Sequence, residues 1–366
     1  MSMLMAETVI HPPGFWRGFW IIATLELKQR LRSKALLVLA IVWFGVIGIV
    51  TALAWITLNT LYGAYGEETD GYPLFSLIVY FVLLFGSLVA PAISAGSIGA
   101  ERSQATLATT QVTLVSTWSI LLGKALAAWI TGIAFLIVAL PFVVFSLVIS
   151  RVGIAQLLMT FLALAVQIGI FTVIGVGLSA MIRSTVFAIV LAYLLVALLS
   201  VGTLIAFSLA LGASTRYVDV EVRMFTQAYH QSIEACTTAE DGDPDGSCWQ
   251  SVPQQCEAEL VPMPYTPVHH YWWILALNPY VVVADMVPVA DDRDNPVDLF
   301  GVISVGMRSL QIEPDQPEGW DDCQPYAGLS FGEEDDDQLD STIPVWWIGL
   351  GLQLLLVGGA LWGGYR

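Results

Sequence analysis

Gly99-Ala-Glu-Arg-Ser-Gln-Ala-Thr-Leu-Ala-Thr-Thr-Gln-Val-Thr-Leu-Val-Ser-Thr-Trp-Ser-Ile-Leu-Leu-Gly-Lys124 is a polar interruption between two long apolar segments. It holds Glu101, Arg102 and Lys124 with a run of Ser, Thr and Gln that lipid cannot satisfy, so it belongs in water or against protein. Leu107, Val112, Leu114 and Val115 are mixed with those polar groups. That mixture suits a short helix along a membrane face with its other side turned to a partner.

Outward from this stretch, the chain is that of an integral membrane protein. Its residues are 56% hydrophobic and 12% charged, against about 25% charged in soluble domains. The formal net charge of −17 is unevenly spread, because 25 of the 31 acidic residues and only 4 of the 14 basic ones fall between 213 and 343. A near-neutral membrane body therefore carries one acidic soluble insertion. All four cysteines, Cys236, Cys248, Cys256 and Cys323, lie in that insertion. An even number confined to one soluble segment predicts two disulfides in an oxidising compartment, with three pairings open.

The expected spans are 35–61, 74–98, 125–149, 154–181, 185–211 and 345–362, each near or above the roughly 20 residues a bilayer requires. Pro91 predicts a bend in the second. Residues 1–13 show no basic region, apolar core and small-residue cleavage site, so no removable signal is expected and the N-terminus is assigned to the cytoplasm. Residues 14–34 read as an interfacial helix with Phe15, Trp16, Phe19 and Trp20 as anchors. On it Arg17, Thr24, Lys28 and Arg32 form one stripe, while Glu26 and Arg30 are four apart and able to pair. Arg17, Lys28, Arg30, Arg32, Lys34, Arg102, Lys124 and Arg183 fall on one side of this topology, against Arg151 in the short loops of the other. By the positive-inside rule the first side is cytoplasmic and 213–343 is extracellular. Within the insertion, 271–290 is apolar but broken by Asn278-Pro279 and followed by Asp285, which predicts two short helices rather than a span.

Three stretches carry a family resemblance. Glu101-Arg, Thr106-Leu, then Ser116-x-Trp118-x-Ile-Leu-Leu-Gly-Lys124 resembles the coupling loop of ABC exporter permeases of the type 2 family, with Ala105 and Val112 where that family usually has Gly and often Pro. Glu26-Leu-Lys-Gln-Arg-Leu-Arg-Ser-Lys34 is similar to the family's connecting helix, and Leu277-Asn-Pro-Tyr280 to its signature between the fifth and sixth spans. The resemblance runs along nearly the whole chain. It implies an all-α membrane fold with six transmembrane helices, an interfacial helix, a cytoplasmic coupling helix, and a disulfide-bearing extracellular insertion between spans five and six. The domains expected are 1–34 as cytoplasmic N-terminus and connecting helix, 35–212 as spans one to five with the loop 99–124, 213–343 as the acidic extracellular domain, and 344–366 as span six.

The implied function is the permease subunit of an ATP-driven exporter in the plasma membrane. Glu101, Arg102, Thr106, Leu107, Ser116, Trp118 and Lys124 would couple it to an ATPase, and Glu26, Lys28, Arg30 and Arg32 would form the connecting helix. Implied partners are cytoplasmic ABC ATPase subunits, a second permease as homodimer or heterodimer, and membrane lipid; nucleic acid is not among them. The alternative is a membrane-anchored receptor or scaffold whose acidic extracellular domain is the working part.

No Gly-x-x-x-x-Gly-Lys followed by Ser or Thr occurs, so ATP and magnesium are expected on a partner and no cofactor on this chain. The expected spans hold no ionisable residue in their interiors, which argues against a proton-coupled carrier or an ion channel. Gln167 and Gln353 are their largest polar groups, suited to interhelical hydrogen bonding or a substrate path. Asp241, Asp243 and Asp245 open like a calcium loop, but Val252 stands where a bidentate Glu is needed. No nucleophile, base and orienting group come together in the sequence, so no catalysis by this chain itself is expected.

Overall fold

The computed structural model describes residues 14–63, 72–99, 116–150, 152–238, 248, 251–288, 298–323 and 341–366. Six helices among them are long and apolar enough to cross a membrane. In chain order, α1 (Phe15–Leu31) is followed by α2 (Lys34–Gly63), α3 (Tyr72–Ser94), α4 (Thr117–Ile149) and α5 (Ile154–Met181). The fifth span is α6 (Thr185–Ala197), a π-helical turn at Leu198–Gly202, and α7 (Thr203–Ser214). After the insertion, α12 (Val345–Tyr365) is the sixth.

The spans come close to the expected ones, with two differences. α3 ends at Ser94, four residues early, and residues 95–98 form turns just after Pro91, whose ring removes a backbone donor from the helix. α4 begins at Thr117 rather than at 125, so Lys124 lies inside a helix and not in a loop. Ser116 starts that helix early because its Oγ accepts the Ser119 N–H at 3.2 Å.

The chain divides into two units. The first contains the spans except for residues 207–214 of the fifth, and its core gathers Trp43 and Ile47 of α2, Phe75 and Val82 of α3, Phe135 of α4, and Ile168 of α5. Trp43 stacks on Phe85 with ring centroids 3.7 Å apart and donates its indole N–H to the Phe135 carbonyl at 3.1 Å. That bond satisfies the one polar atom of a side chain otherwise fully surrounded by apolar groups. α5 and α12 approach through small residues: a Cβ at Gly177 would lie 2.7 Å from the Ala360 carbonyl group, so only glycine permits this crossing.

The short helices foreseen at 271–290 are α9 (Trp272–Ala276) and α10 (Pro279–Met286), broken at Asn278-Pro279. Asp285 is buried on α10, where it accepts from Ser304 Oγ at 2.8 Å, Arg308 Nη2 at 3.2 Å and the Trp346 N–H at 3.0 Å. Ser304 and Arg308 belong to α11 (Leu299–Ser309), so one carboxylate ties α10, α11 and the start of α12 together.

The second unit, residues 207–272 and 309–342, contains a feature not foreseen. β1 (Arg216–Phe225) and β2 (Cys256–Tyr265) form an antiparallel hairpin, in register from Arg216 opposite Tyr265 to Phe225 opposite Cys256. α8 (Gln227–Thr238) lies between them in sequence. Val220 and Val222 are buried while Asp219, Glu221 and Arg223 are turned away from them, the two-residue alternation of a strand with one covered face.

Both expected disulfides are present, pairing Cys236 with Cys248 and Cys256 with Cys323. The second closes a sequence separation of 67 residues and holds β2 to the segment that bridges Arg223 at Asp321. Its removal is expected to destabilise this unit by about 4 kcal/mol through the freed loop. Thiol labelling of unreduced Cys256→Ser should modify Cys323 alone. Modification of Cys236 or Cys248 as well would show that the pairing is different.

Candidate functional site

The organising stretch enters and leaves the described structure at two anchored ends. At the first, the backbone N–H groups of Ile98 and Gly99 both donate to Ser179 Oγ on α5, at 3.1 and 3.3 Å. Gly99 is packed so tightly that a Cβ there would fall 2.5 Å from Thr185 Oγ1. Glu101, Arg102, Thr106 and Leu107 lie outside the described residues.

The other end is the first two turns of α4, against which α1 packs. Ser119 Oγ donates to the Phe15 carbonyl at 3.0 Å. Gly123 faces Phe19 and Ile22, and its missing side chain lets the two backbones close: a Cβ would meet the Ile22 Cβ and the Phe19 carbonyl oxygen at 3.0 Å each. One residue on, Lys124 Nζ donates to Glu26 Oε1, with the lysine side chain only 3% exposed. Arg30 approaches the other oxygen of Glu26 at 3.6 Å, completing a buried cluster of one carboxylate between two cations. Burial pushes the Arg30 guanidinium below its ordinary value, and the charge of Glu26 opposes that change.

The sequence pairing of Glu26 with Arg30 is therefore present, but the stronger partner of Glu26 is Lys124, 98 residues away. No local spacing signals such a contact. Lys28 and Arg32, placed on the same helix by sequence, are exposed. Trp118 stacks on Tyr365 of α12 with centroids 5.1 Å apart, which gives the start of α4 a second hold on the bundle.

Gln167 and Gln353 come together. Gln167 Nε2 donates to Gln353 Oε1 at 3.0 Å, and Gln353 Nε2 donates to the Leu277 carbonyl at 3.1 Å. Both glutamines are buried, joining α5 and α12 to the segment between α9 and α10.

That segment, Leu277-Asn-Pro-Tyr280, is a further hub. Asn278 Nδ2 donates to the Ser200 carbonyl at 2.7 Å and to Thr203 Oγ1 at 3.0 Å, while its Oδ1 accepts from the Tyr280 N–H at 2.9 Å. Ser200 sits in the π turn of the fifth span, a geometry that alters the helical hydrogen-bond ladder and is frequent at functional positions. Tyr80 of α3 donates to the Tyr280 carbonyl at 3.4 Å. Spans two, four, five and six are thus joined through four consecutive residues, with Ser200, Thr203 and Tyr80 as the partners that sequence reasoning missed.

Among the described residues no group of three or more His, Cys, Asp and Glu is placed to hold a metal. The calcium candidate Asp241, Asp243 and Asp245 lies outside them. Set beside known proteins, residues 20–245 match the family model described as ABC-2 family transporter protein. No curated protein matches the chain.

Proposed function

The chain belongs to the ABC-2 transporter family, a family of membrane transport subunits, and from that premise we propose that it is the permease of an ATP-driven exporter energised by separate cytoplasmic ATPases through residues 99–124. Two such permeases flank one path, and ATP closure of the ATPases moves the 99–124 stretch. Family membership supplies the transport role; export, the ATPase docking, the dimer and the cytoplasmic placement of both termini are proposed.

The observation that carries the reading is the clamp at the start of α4. A loop that only connected two spans would have no need of a buried Lys124–Glu26 pair, because taking two charges out of water costs several kcal/mol each before they attract one another. A rigid link between α1 and the helix that emerges from the loop has a use when force arrives through that loop. Gly99, fixed to α5 by Ser179, links the other end to a different helix. A displacement of 100–115 is thereby delivered to α1, α4 and α5 together. Bound ATP and magnesium sit on the partner, and this chain's residues transmit rather than catalyse.

The test is a photoactivatable side chain at Thr106, irradiated in native membranes, with a second placed at Glu67 as control. The expected product is a crosslink from Thr106, and none from Glu67, to a protein containing a phosphate-binding Gly-Lys-Ser or Gly-Lys-Thr loop. Equal capture from Glu67, or no such protein from Thr106, would contradict both the docking assignment and the orientation.

A further inference from the structure

A groove of about 290 Å³ between α1, α2 and α4 is polar at one end. Arg30, in the last turn of α1, and Ser33, just before α2, line that end. Beyond them the walls include Leu36 and Ala40 of α2 and Ile130, Ala134 and Val138 of α4. The hydroxyl of Thr131, the other polar side chain among the described lining residues, is already used, since it donates to the Ala127 carbonyl at 2.8 Å. Leu31 and Leu37 also line the groove and are 76% and 63% exposed, so it opens on the outer surface of the helices.

The polar end has a donor without an acceptor. Arg30 Nε is buried and forms no hydrogen bond. Its nearest carboxylate oxygen among the described residues, Glu26 Oε2, stands 3.6 Å away, and the other oxygen of Glu26 is taken by Lys124. No carboxylate is among the described lining residues. A buried donor left in that state costs free energy that an arriving acceptor recovers, and phosphate is the acceptor that a guanidinium fits best, through several charge-assisted bonds at once.

The apolar end selects what carries the phosphate. From Leu36 to Ala40 the α2 wall advances four residues and from Ile130 to Val138 the α4 wall advances eight, about 6 and 12 Å at the helical rise. Both stay within one leaflet of a hydrocarbon core about 30 Å thick. A neutral hydrocarbon would fill the slot by dispersion contact and leave Arg30 Nε unbonded. Inorganic phosphate would satisfy Arg30 and leave the walls bare. A phosphate joined to an acyl chain meets both ends.

We infer that this groove binds a phospholipid from the leaflet in which α1 lies, its phosphate on Arg30 and one acyl chain between α2 and α4. The bound lipid then fills the corner where α1 turns into the first span. This inference rests on the chain being a membrane protein and is independent of export or of the ATPase.

The experiment uses the full chain in nanodiscs doped with a phospholipid that carries a diazirine midway along one acyl chain. After irradiation, peptides containing 36–40 and 130–138 should be labelled several-fold more heavily than the exposed face of the fifth span at Val186, Phe187 and Val190. Unlabelled phospholipid should compete several-fold better than diacylglycerol of the same chains, and inorganic phosphate should not compete. Arg30→Gln should erase the difference between the two competitors, whereas Arg17→Gln, an exposed α1 cation outside the groove, should preserve it. Ala134→Trp, which leaves Arg30 and Glu26 in place, should lower groove labelling to the level of the fifth span. Groove labelling no higher than on the fifth span, diacylglycerol equal to phospholipid in the parent, competition by inorganic phosphate, a difference that survives Arg30→Gln, labelling indifferent to Ala134→Trp, or crosslinks from the groove to a second copy of the chain in place of lipid would each overturn the inference.

Discussion

Lys124→Met is expected to destabilise the packing of α1 on α4 by about 3 to 5 kcal/mol, because it leaves the Glu26 carboxylate buried without its nearest cation. Glu26 and Lys124 are 11% and 3% exposed at their side chains, so water cannot take the place of the missing partner. Arg30 offsets only part of the loss, since it stands 3.6 Å from the other carboxylate oxygen and does not reach the position Lys124 vacates. Removing both charges, as Glu26→Gln with Lys124→Met, should recover most of the stability, because a buried pair replaced by neutral groups of similar size is close to neutral overall. Recovery falls short of complete, as Arg30, itself 13% exposed, then loses its own partner. Equilibrium unfolding in mixed micelles reads the three variants against the parent. A loss below about 1 kcal/mol in Lys124→Met would place this pair with ordinary surface ion pairs and remove the argument that α1 and α4 are rigidly linked.

That clamp also marks where sequence reading stops. Spans are legible because an uncharged apolar run of bilayer length has few stable surroundings besides a bilayer, and the aromatic residues flanking α12 announce its ends. The break at Asn278-Pro279 is equally readable, since proline starts a helix well and continues one badly. The partner of Glu26 is not. A carboxylate has a visible candidate four residues away in Arg30, and nothing local points to a lysine 98 positions on. With Lys124 taken as the edge of a loop, its charge belongs to water, whereas the helix in fact begins two turns earlier at Ser116, a capping residue whose signal is present in the sequence.

The hairpin escapes sequence reading for another reason. Val218, Asp219, Val220, Glu221, Val222 and Arg223 alternate as a half-buried strand should, a signal unused when 213–343 is read only as one acidic soluble insertion. β2 is nearly all exposed and carries Pro262 and Pro264, so its own sequence barely signals a strand. The disulfide pairing follows from the folded hairpin and cannot be chosen from spacing alone. For the glutamines, composition leaves two roles open; in the folded chain they are bonded to one another and to Leu277.

The second large effect is expected at Glu101. If 99–124 docks on an ATPase, the carboxylate is partly desolvated there, and Glu101→Lys sets a cation against a site shaped for an anion at a cost of several kcal/mol. Each 1.4 kcal/mol is tenfold in an equilibrium constant, so association with the ATPase should weaken by about a hundredfold or more. Insertion and the stability of the bundle are expected to be unchanged, because no residue named in the core is altered. Charge reversal at Glu67, between the first and second spans in sequence, is the matched control.

The decisive measurement is ATP hydrolysis by the permease–ATPase complex in nanodiscs, compared for the parent, Glu67→Lys and Glu101→Lys at equal amounts of folded permease. The account predicts parental hydrolysis with Glu67→Lys and loss of the permease-dependent rate, through weakened assembly, with Glu101→Lys. Parental assembly and hydrolysis in Glu101→Lys, together with silent substitutions from Thr106 to Ser116, would contradict it and leave the acidic insertion as the working part of the molecule.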